Sequence, residues 1–370
     1  MRAITFVDVR QLELSTVPDP VIVDDGDVIV QVLAAGICGS DLHPYLGRER
    51  GLDRGTIMGH ELTGRVVECG RAVRTLSVGD RVVAPFTTSC GTCWACELGL
   101  TSRCVRGQLF GWVQDGRGLH GAQAEYVRVP LADSTLVHVP DELGDDAVAV
   151  LAGDVLGTAL FGAELARVEP GNAVAIVGSG PVGLLAVRAA LARGAERVIA
   201  IDTVASRLGI AERFGAIAVN VTEGEAAGDP EGGGPEGDVI ARVRAHTREE
   251  RGVDRVIEAV GSAAATRTAV SVARPGGTIA AIGVHTEPHL AVSPGELYDR
   301  NLTYAAGRCP ARRMLPAALE VAIRDGQLLA ELISHRLGLA EGVDAYRRLA
   351  EREEGLAKVV LTSDDASLSA

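Results

Sequence analysis

The stretch CGTCWACELGLTSRC, residues 90–104, places Cys90, Cys93, Cys96 and Cys104 within fifteen residues. Thiolates are soft ligands, and four of them close a tetrahedral shell around one zinc ion and leave no position for a substrate. Gly91, Gly99 and Arg103 make the segment read as a loop, not a core element. The spacing therefore points to a structural metal clip, and the chemistry has to lie elsewhere. A second cluster lies in AGICGSDLH (35–43) and GHELTGRVVECGRAV (59–73). Cys38 offers a thiolate, His60 an imidazole and Glu61 an adjacent carboxylate, so a zinc centre here still needs a third ligand. HELTG is not the HExxH of a helical metalloprotease site, because position 64 is Gly64. Taken alone, Cys38 is more often a buried thiol than a ligand.

A third group is the turn GSGPVG after the apolar run AVAIV. Gly178, Gly180 and Gly183, with Pro181 and Val182 opening a helix, form GxGxxG, and Asp202 follows nineteen residues after the last glycine. In this context of strand, turn, helix, strand and acid the pattern is a dinucleotide fingerprint. Gly178 permits the tight turn, Gly180 lets the backbone approach a pyrophosphate, and Gly183 allows close packing of helix and strand. The helix N-terminus supplies amide donors to phosphates. Asp202 can accept from ribose hydroxyls and would repel a 2′-phosphate, which favours NAD over NADP. Arg207 lies close enough in sequence to accommodate that phosphate instead, and Asp202 would also serve as a helix N-cap.

The elements that must position these residues change in kind near residue 150. Before it, short alternating runs such as DVIVQVLAAG, ELTGRVVECG and AEYVRVP, separated by Gly, Pro and Asp, predict a mostly antiparallel β domain. After it, strand and helix patterns alternate, with further strands expected at 253–260 and 277–283, the order of a parallel α/β sheet. Residues 223–238, EGEAAGDPEGGGPEGD, are poor in apolar side chains and read as a surface loop. A chain of 370 residues is long enough for two domains and does not need disulfide staples. The N-terminus alternates like a strand and has no signal-peptide pattern, so a cytosolic location and reduced thiols are expected. No apolar run is expected to reach the ~18 to 20 residues that span a bilayer. A formal charge of -13 opposes binding to a phosphate backbone, so no nucleic-acid partner is expected.

GHELTGRVVECGRAV fits the pattern GHExxGxxxxxGxxV at every specified position. On this stretch, and on CGSDLH, the four-cysteine lobe, the dinucleotide turn, VIEAVG and ARPGGTI, the chain resembles the zinc-containing alcohol dehydrogenases of the medium-chain dehydrogenase/reductase superfamily. The resemblance covers nearly the whole chain. It implies an α/β protein: a GroES-like, mostly β catalytic domain made of 1–153 and 298–370, and a Rossmann domain, 154–297, with a doubly wound parallel sheet. It implies that Cys38 and His60 are ligands of a catalytic zinc and that Glu61 is the neighbouring carboxylate that exchanges with water on the metal. The third ligand is expected in LAGDVLGTAL, where many relatives carry cysteine and others an acid. Here the candidate is Asp154, similar to the formaldehyde dehydrogenase branch, although Asp154 also reads as a helix N-cap. Cys90, Cys93, Cys96 and Cys104 match the structural-zinc lobe, giving two zinc ions per chain. GRCPARR (307–313) is similar to the same branch and would bring Arg308 near the cofactor pyrophosphate. A homodimer or homotetramer is implied as well.

The expected reaction is hydride transfer between an alcohol or carbonyl compound and NAD, with zinc lowering the pKa of the alcohol. Ser40 is expected to take a hydrogen bond from the substrate oxygen, and His43 to pass the proton on to solvent through the cofactor ribose. Outside that context His43 would read as a surface histidine, while Asp41 reads as a residue that orients either the local backbone or a ligand imidazole. Formaldehyde-type oxidation or dismutation, and a non-catalytic binding protein that keeps the fold, are the alternatives. Cys69 and Cys309 have no assigned role.

Overall fold

The computed structural model describes residues 1–222 and 235–362. The expected loop at 223–238 therefore lies mostly outside the described residues, and its last part belongs to a helix, Pro235–Ala245. The chain divides into two compact units, Met1–Gly157 with the stretch from Pro310 onward, and Thr158–Cys309.

Among the described residues, the first unit is built on a seven-stranded sheet. Its order is Ile333–Gly338, Lys358–Thr362, Val28–Ile37, Glu61–Cys69, Arg81–Ala84 and Val137–His138, with Tyr126–Val129 also paired to Val28–Ile37. All these pairings are antiparallel except that of the two C-terminal strands. Val28, Val30 and Val32 alternate along the central strand and pack with Leu62, Val66, Val82 and Phe110, so period-two burial holds this sheet together. The register pairs Gly36 with Glu61. Because the strands are antiparallel, Cys38, just after one, and His60, just before the other, emerge side by side at one end of the sheet.

The third element at that end is the helix Asp146–Gly153. Asp145 caps it by accepting from Ala147 N at 3.0 Å, and Ala147 through Gly153 are all buried. Thr63 Oγ1 donates to Asp146 O at 3.2 Å, tying the helix start to the strand beneath it. Asp154 interrupts the helix with φ -138° and ψ -78°, and Val155–Leu165 continues the run. Contrary to expectation, Asp146–Leu165 is 20 residues long with a hydropathy of 1.6, enough to cross a bilayer by length and composition. Its apolar window is 78% buried inside the protein, and Asp154 stands in the middle, so it is a core helix whose hydrophobicity reflects packing.

Among the described residues, the second unit is built on a six-stranded parallel sheet in the order Ile217–Asn220, Arg197–Asp202, Ala173–Val177, Val253–Glu258, Ala273–Ala281, Thr303–Ala306. Numbered along the chain this is 3-2-1-4-5-6, the doubly wound order whose switch point lies at the carboxyl end of the first strand. The expected boundaries differ at both junctions. Residues 298–309 stay with this unit because Thr303–Ala306 pairs with Ala273–Ala281 as its edge strand, and the earlier division falls after Gly157, not after residue 153.

Candidate metal centre and dinucleotide turn

The first unit gathers Cys38, His60, Glu61 and Asp154 so that one donor atom from each lies within 4.8 Å of the others. Asp154 Oδ2 is 3.2 Å from His60 Nε2 and 3.5 Å from Cys38 Sγ. The Asp154 carboxylate is aimed at the thiol and the imidazole, as a ligand's would be. Asp41 accepts from His60 Nδ1 at 3.0 Å and from Cys38 N at 2.9 Å. That bond fixes the imidazole tautomer and leaves Nε2 to face the other donors, the arrangement a metal-ligating histidine needs. Thiolate, imidazole and carboxylate are a zinc donor set of three, which leaves a position open. The residues present fit the group.

Electrostatics in the pocket agree with a cation site. Burial pushes the Cys38 thiol up, and the Asp154 charge adds to the rise. Burial alone would lower His60, but Asp41 and Asp154 outweigh it and hold the ring well above its ordinary value. Burial would raise Asp154, yet the His60 hydrogen bond and charge hold it down at about 2. Without a metal, the His60 proton is the positive charge between two carboxylates, and a zinc ion would replace it and the thiol proton.

Glu61 is adjacent but engaged elsewhere. Its carboxylate accepts from Lys358 Nζ at 2.6 and 2.5 Å, with the pair 1% and 0% exposed. Burial pushes Glu61 up and Lys358 opposes this; burial would lower Lys358, and the Glu61 charge keeps it raised. The ammonium also donates to Ile37 O at 3.2 Å, so its three N–H groups meet three acceptors. Lys358 escaped the motif reading, although one signal was available: it is the only lysine in a chain with 36 basic residues. Ser40 Oγ is 3.5 Å from His60 Nε2, and His43 is half-buried with Nδ1 buried and unpartnered. Burial, with Arg48 assisting, lowers the His43 pKa.

The four-cysteine lobe also converges, with Cys90, Cys93, Cys96 and Cys104 sulfurs within 4.8 Å of one another. Cys93 and Cys104 sulfurs are 3.8 Å apart, far beyond a disulfide bond. Burial would raise Cys90, but the Thr92 amide and Arg106 bring it down to about 5, while burial and Cys93 push Cys96 up to about 12. Mixed protonation of this kind is what four crowded thiols adopt without a cation to pair them.

In the second unit the fingerprint closes on itself. Gly178 has φ +94°, and a β-carbon on Gly183 would lie 1.7 Å from Gly178 O, so helix and turn approach as only glycine permits. A β-carbon on Gly180 would meet nothing within 4 Å, leaving a cradle open at the start of the Pro181–Ala192 helix. Val182 follows Pro181 in the first turn of that helix. Asp202 ends the neighbouring strand and accepts from Ser179 N at 2.5 Å, Thr203 N at 2.7 Å and Val204 N at 2.9 Å. Arg207 lies on the following helix, Ala205–Arg213. Arg308 is exposed just beyond the edge strand Thr303–Ala306.

The family model for the alcohol dehydrogenase GroES-like domain matches residues 24–141, and that for the zinc-binding dehydrogenase matches residues 181–324. The chain is 46% identical over 291 residues to the medium chain reductase/dehydrogenase ucsI of an Acremonium species, covering 77% of this chain and 94% of that one. It is similar to the solved alcohol dehydrogenase TADH from Thermus sp. ATN1, with TM-score 0.88 and 34% identity over 98% of this chain and 100% of that chain. A putative zinc-binding dehydrogenase from Sinorhizobium meliloti 1021, solved bound to NADP, has TM-score 0.80 and 29% identity over 98% of both chains. Two convergent ligand clusters, a dinucleotide turn on a doubly wound sheet and these matches make the chain a zinc-dependent oxidoreductase with a nicotinamide cofactor. It belongs to the zinc-containing alcohol dehydrogenase family of the medium-chain dehydrogenase/reductase superfamily.

Proposed function

We propose that this protein is an NAD-dependent alcohol dehydrogenase in which Cys38, His60 and Asp154 hold the catalytic zinc and Cys90, Cys93, Cys96 and Cys104 a structural one. The convergence of a thiol, an imidazole and a carboxylate on one point, with a serine hydroxyl at its edge, carries this reading. When bound, zinc supplies Lewis acidity toward an alcohol oxygen and the nicotinamide supplies the hydride acceptor. Ser40 would take a hydrogen bond from the substrate hydroxyl and release its own proton in exchange, and His43, whose pKa burial lowers and whose buried Nδ1 has no partner, would serve as the base that passes a proton on to solvent. Asp41 holds the His60 ring in place throughout. Glu61, held by Lys358, keeps a carboxylate beside the ligands without taking one of their positions.

Gly178, Gly180 and Gly183, with Pro181 and Val182 in the helix start, cradle the pyrophosphate, and Arg308 assists. Three backbone amides fix the Asp202 charge at the end of its strand. That fixed charge favours the free ribose hydroxyls of NAD over the phosphate of NADP, and Arg207 is left as a minor contact.

Formation of reduced nicotinamide, measured with NAD and NADP in parallel on zinc-loaded protein against primary and secondary alcohols, polyols and formaldehyde, tests this. NAD is expected to be the better cofactor. His60→Ala should abolish turnover and lower the zinc content from two ions per chain to one, in keeping with two separate clusters. Near-normal turnover in His60→Ala would overturn the ligand assignment.

A further inference from the structure

Gln123 and Tyr346 belong to no motif used above, yet both side chains are fully buried in the first unit. Tyr346 lies on the helix Gly342–Ala350, and its hydroxyl donates to Gln123 Oε1 at 2.9 Å. Gln123 Nε2 donates to Gly36 O at 3.1 Å and to Asp41 Oδ2 at 3.4 Å. Asp41 in turn accepts from Cys38 N and from His60 Nδ1. A continuous chain of hydrogen bonds thus runs from a C-terminal helix to the ligand imidazole.

The direction of this chain is forced. Asp41 accepts from Cys38 N and His60 Nδ1, and Gln123 presents its amide hydrogens to the same carboxyl group and to Gly36 O, which turns Oε1 the other way. Oε1 is then a buried acceptor that needs a donor, and the Tyr346 hydroxyl is that donor. Burial and the Asp41 charge hold the Tyr346 hydroxyl well above its ordinary range, so it remains protonated. Gln123 also reaches the ligand segment from a second side. Gly59, the residue before His60, has φ +94°, and a β-carbon there would lie 2.6 Å from Gln123 Cγ. The glycine beside the ligand leaves the space that the glutamine fills.

We propose that Tyr346 and Gln123 are positioning residues for the metal centre, fixing through Asp41 the orientation in which His60 presents Nε2 to Cys38 and Asp154. The proposal rests on the reading of Cys38, His60 and Asp154 as metal ligands. It treats the centre as preorganised by a relay that the C-terminal helix anchors, not by Asp41 alone. Cutting the relay at Tyr346 leaves the buried Gln123 carbonyl without its donor, cutting it at Gln123 takes one of three donors from Asp41, and the ring gains freedom to turn.

The test uses the full chain loaded with Co2+, whose visible d–d bands report ligand geometry. Tyr346→Phe removes one oxygen, and Gln123→Met breaks the same relay one link nearer the metal with little change in volume. Both should shift the band of the mixed-ligand site and release its metal to a chelator about 10-fold faster, within the range typical of outer-shell partners. Tyr45→Phe is the control, because that ring packs on Tyr346 with centroids 5.6 Å apart but belongs to no part of the relay. It should leave both band and release rate unchanged. Wild-type bands and release in Tyr346→Phe and Gln123→Met would overturn the proposal. A mixed-site band that survives His60→Ala would overturn the ligand reading itself, and the proposal with it.

Discussion

Replacing Lys358 with methionine removes the cation that is hydrogen-bonded to Glu61 in a pocket where the two side chains are 1% and 0% exposed. Breaking a buried pair from one side costs about 3–5 kcal/mol, because the remaining charge has lost its partner. An upper bound comes from the carboxyl itself, which can escape the penalty by taking a proton. At pH 7 that costs the distance from an unfolded-state value of about 4.3, roughly 2.7 units at 1.36 kcal/mol each, or about 3.7 kcal/mol. The expected loss is therefore about 3 to 4 kcal/mol. The pH dependence follows from the same bound. In the variant the folded-state pKa of Glu61 lies above its unfolded value, so the folded chain binds a proton that the unfolded chain has released. Stability lost at neutral pH should return as the pH falls toward 4.3, with the deficit near 1 kcal/mol at pH 5. Urea unfolding of both proteins at fixed free zinc, from pH 5 to 8, measures it. Adding Glu61→Met should recover at least half of the loss, since a well-packed apolar pair replaces an ion pair at little cost. A loss below 1 kcal/mol, as for an exposed pair, or a deficit that does not shrink at pH 5, would refute the argument.

Cys93→Ser should lower the melting temperature and release one zinc per chain while the remaining folded protein turns over normally, because a closed site contributes folding energy and no chemistry. Loss of turnover at unchanged stability would exchange the roles of the two clusters. Asp145→Ala removes both the cap of the helix that ends at Asp154 and a bidentate partner of Arg336. A loss of about 1 kcal/mol in urea unfolding is expected. Burial opposes it, but Arg336 and the Ala147 amide hold the Asp145 carboxyl below its ordinary value. The contribution should therefore be present above the unfolded-state value, about pH 4, and disappear as the pH falls through the lowered folded one. Asp145→Ala and wild type should differ less in acid than at neutral pH.

What the sequence by itself determined is what lies close together along the chain. The four-cysteine lobe is complete within residues 90–104, so spacing alone marked it as a candidate metal site, and the four sulfurs do converge. The dinucleotide turn is legible for the same reason: strand, glycines, helix and acid follow one another in order, and local sterics require each of them. Cys38 and His60 were visible as candidates, but it is the antiparallel register of Gly36 with Glu61 that puts them side by side. Asp154 emerged only from the resemblance, because nothing in its neighbours distinguishes a ligand from a cap until the helix is seated on the sheet.

The tertiary structure alone decided what joins distant segments. Lys358 and Glu61 are 297 residues apart, and Tyr346 and Gln123 are 223 apart. No local propensity records such pairs. The same limit explains the misplaced boundary at residue 298: Thr303–Ala306 is a four-residue strand whose membership depends on a parallel partner more than twenty residues upstream. The composition did mark one of these residues, since a chain that otherwise uses arginine keeps a single lysine. Its reason is geometric. A compact ammonium points three N–H groups from one atom at three buried acceptors, where a guanidinium would have to fit a larger planar group.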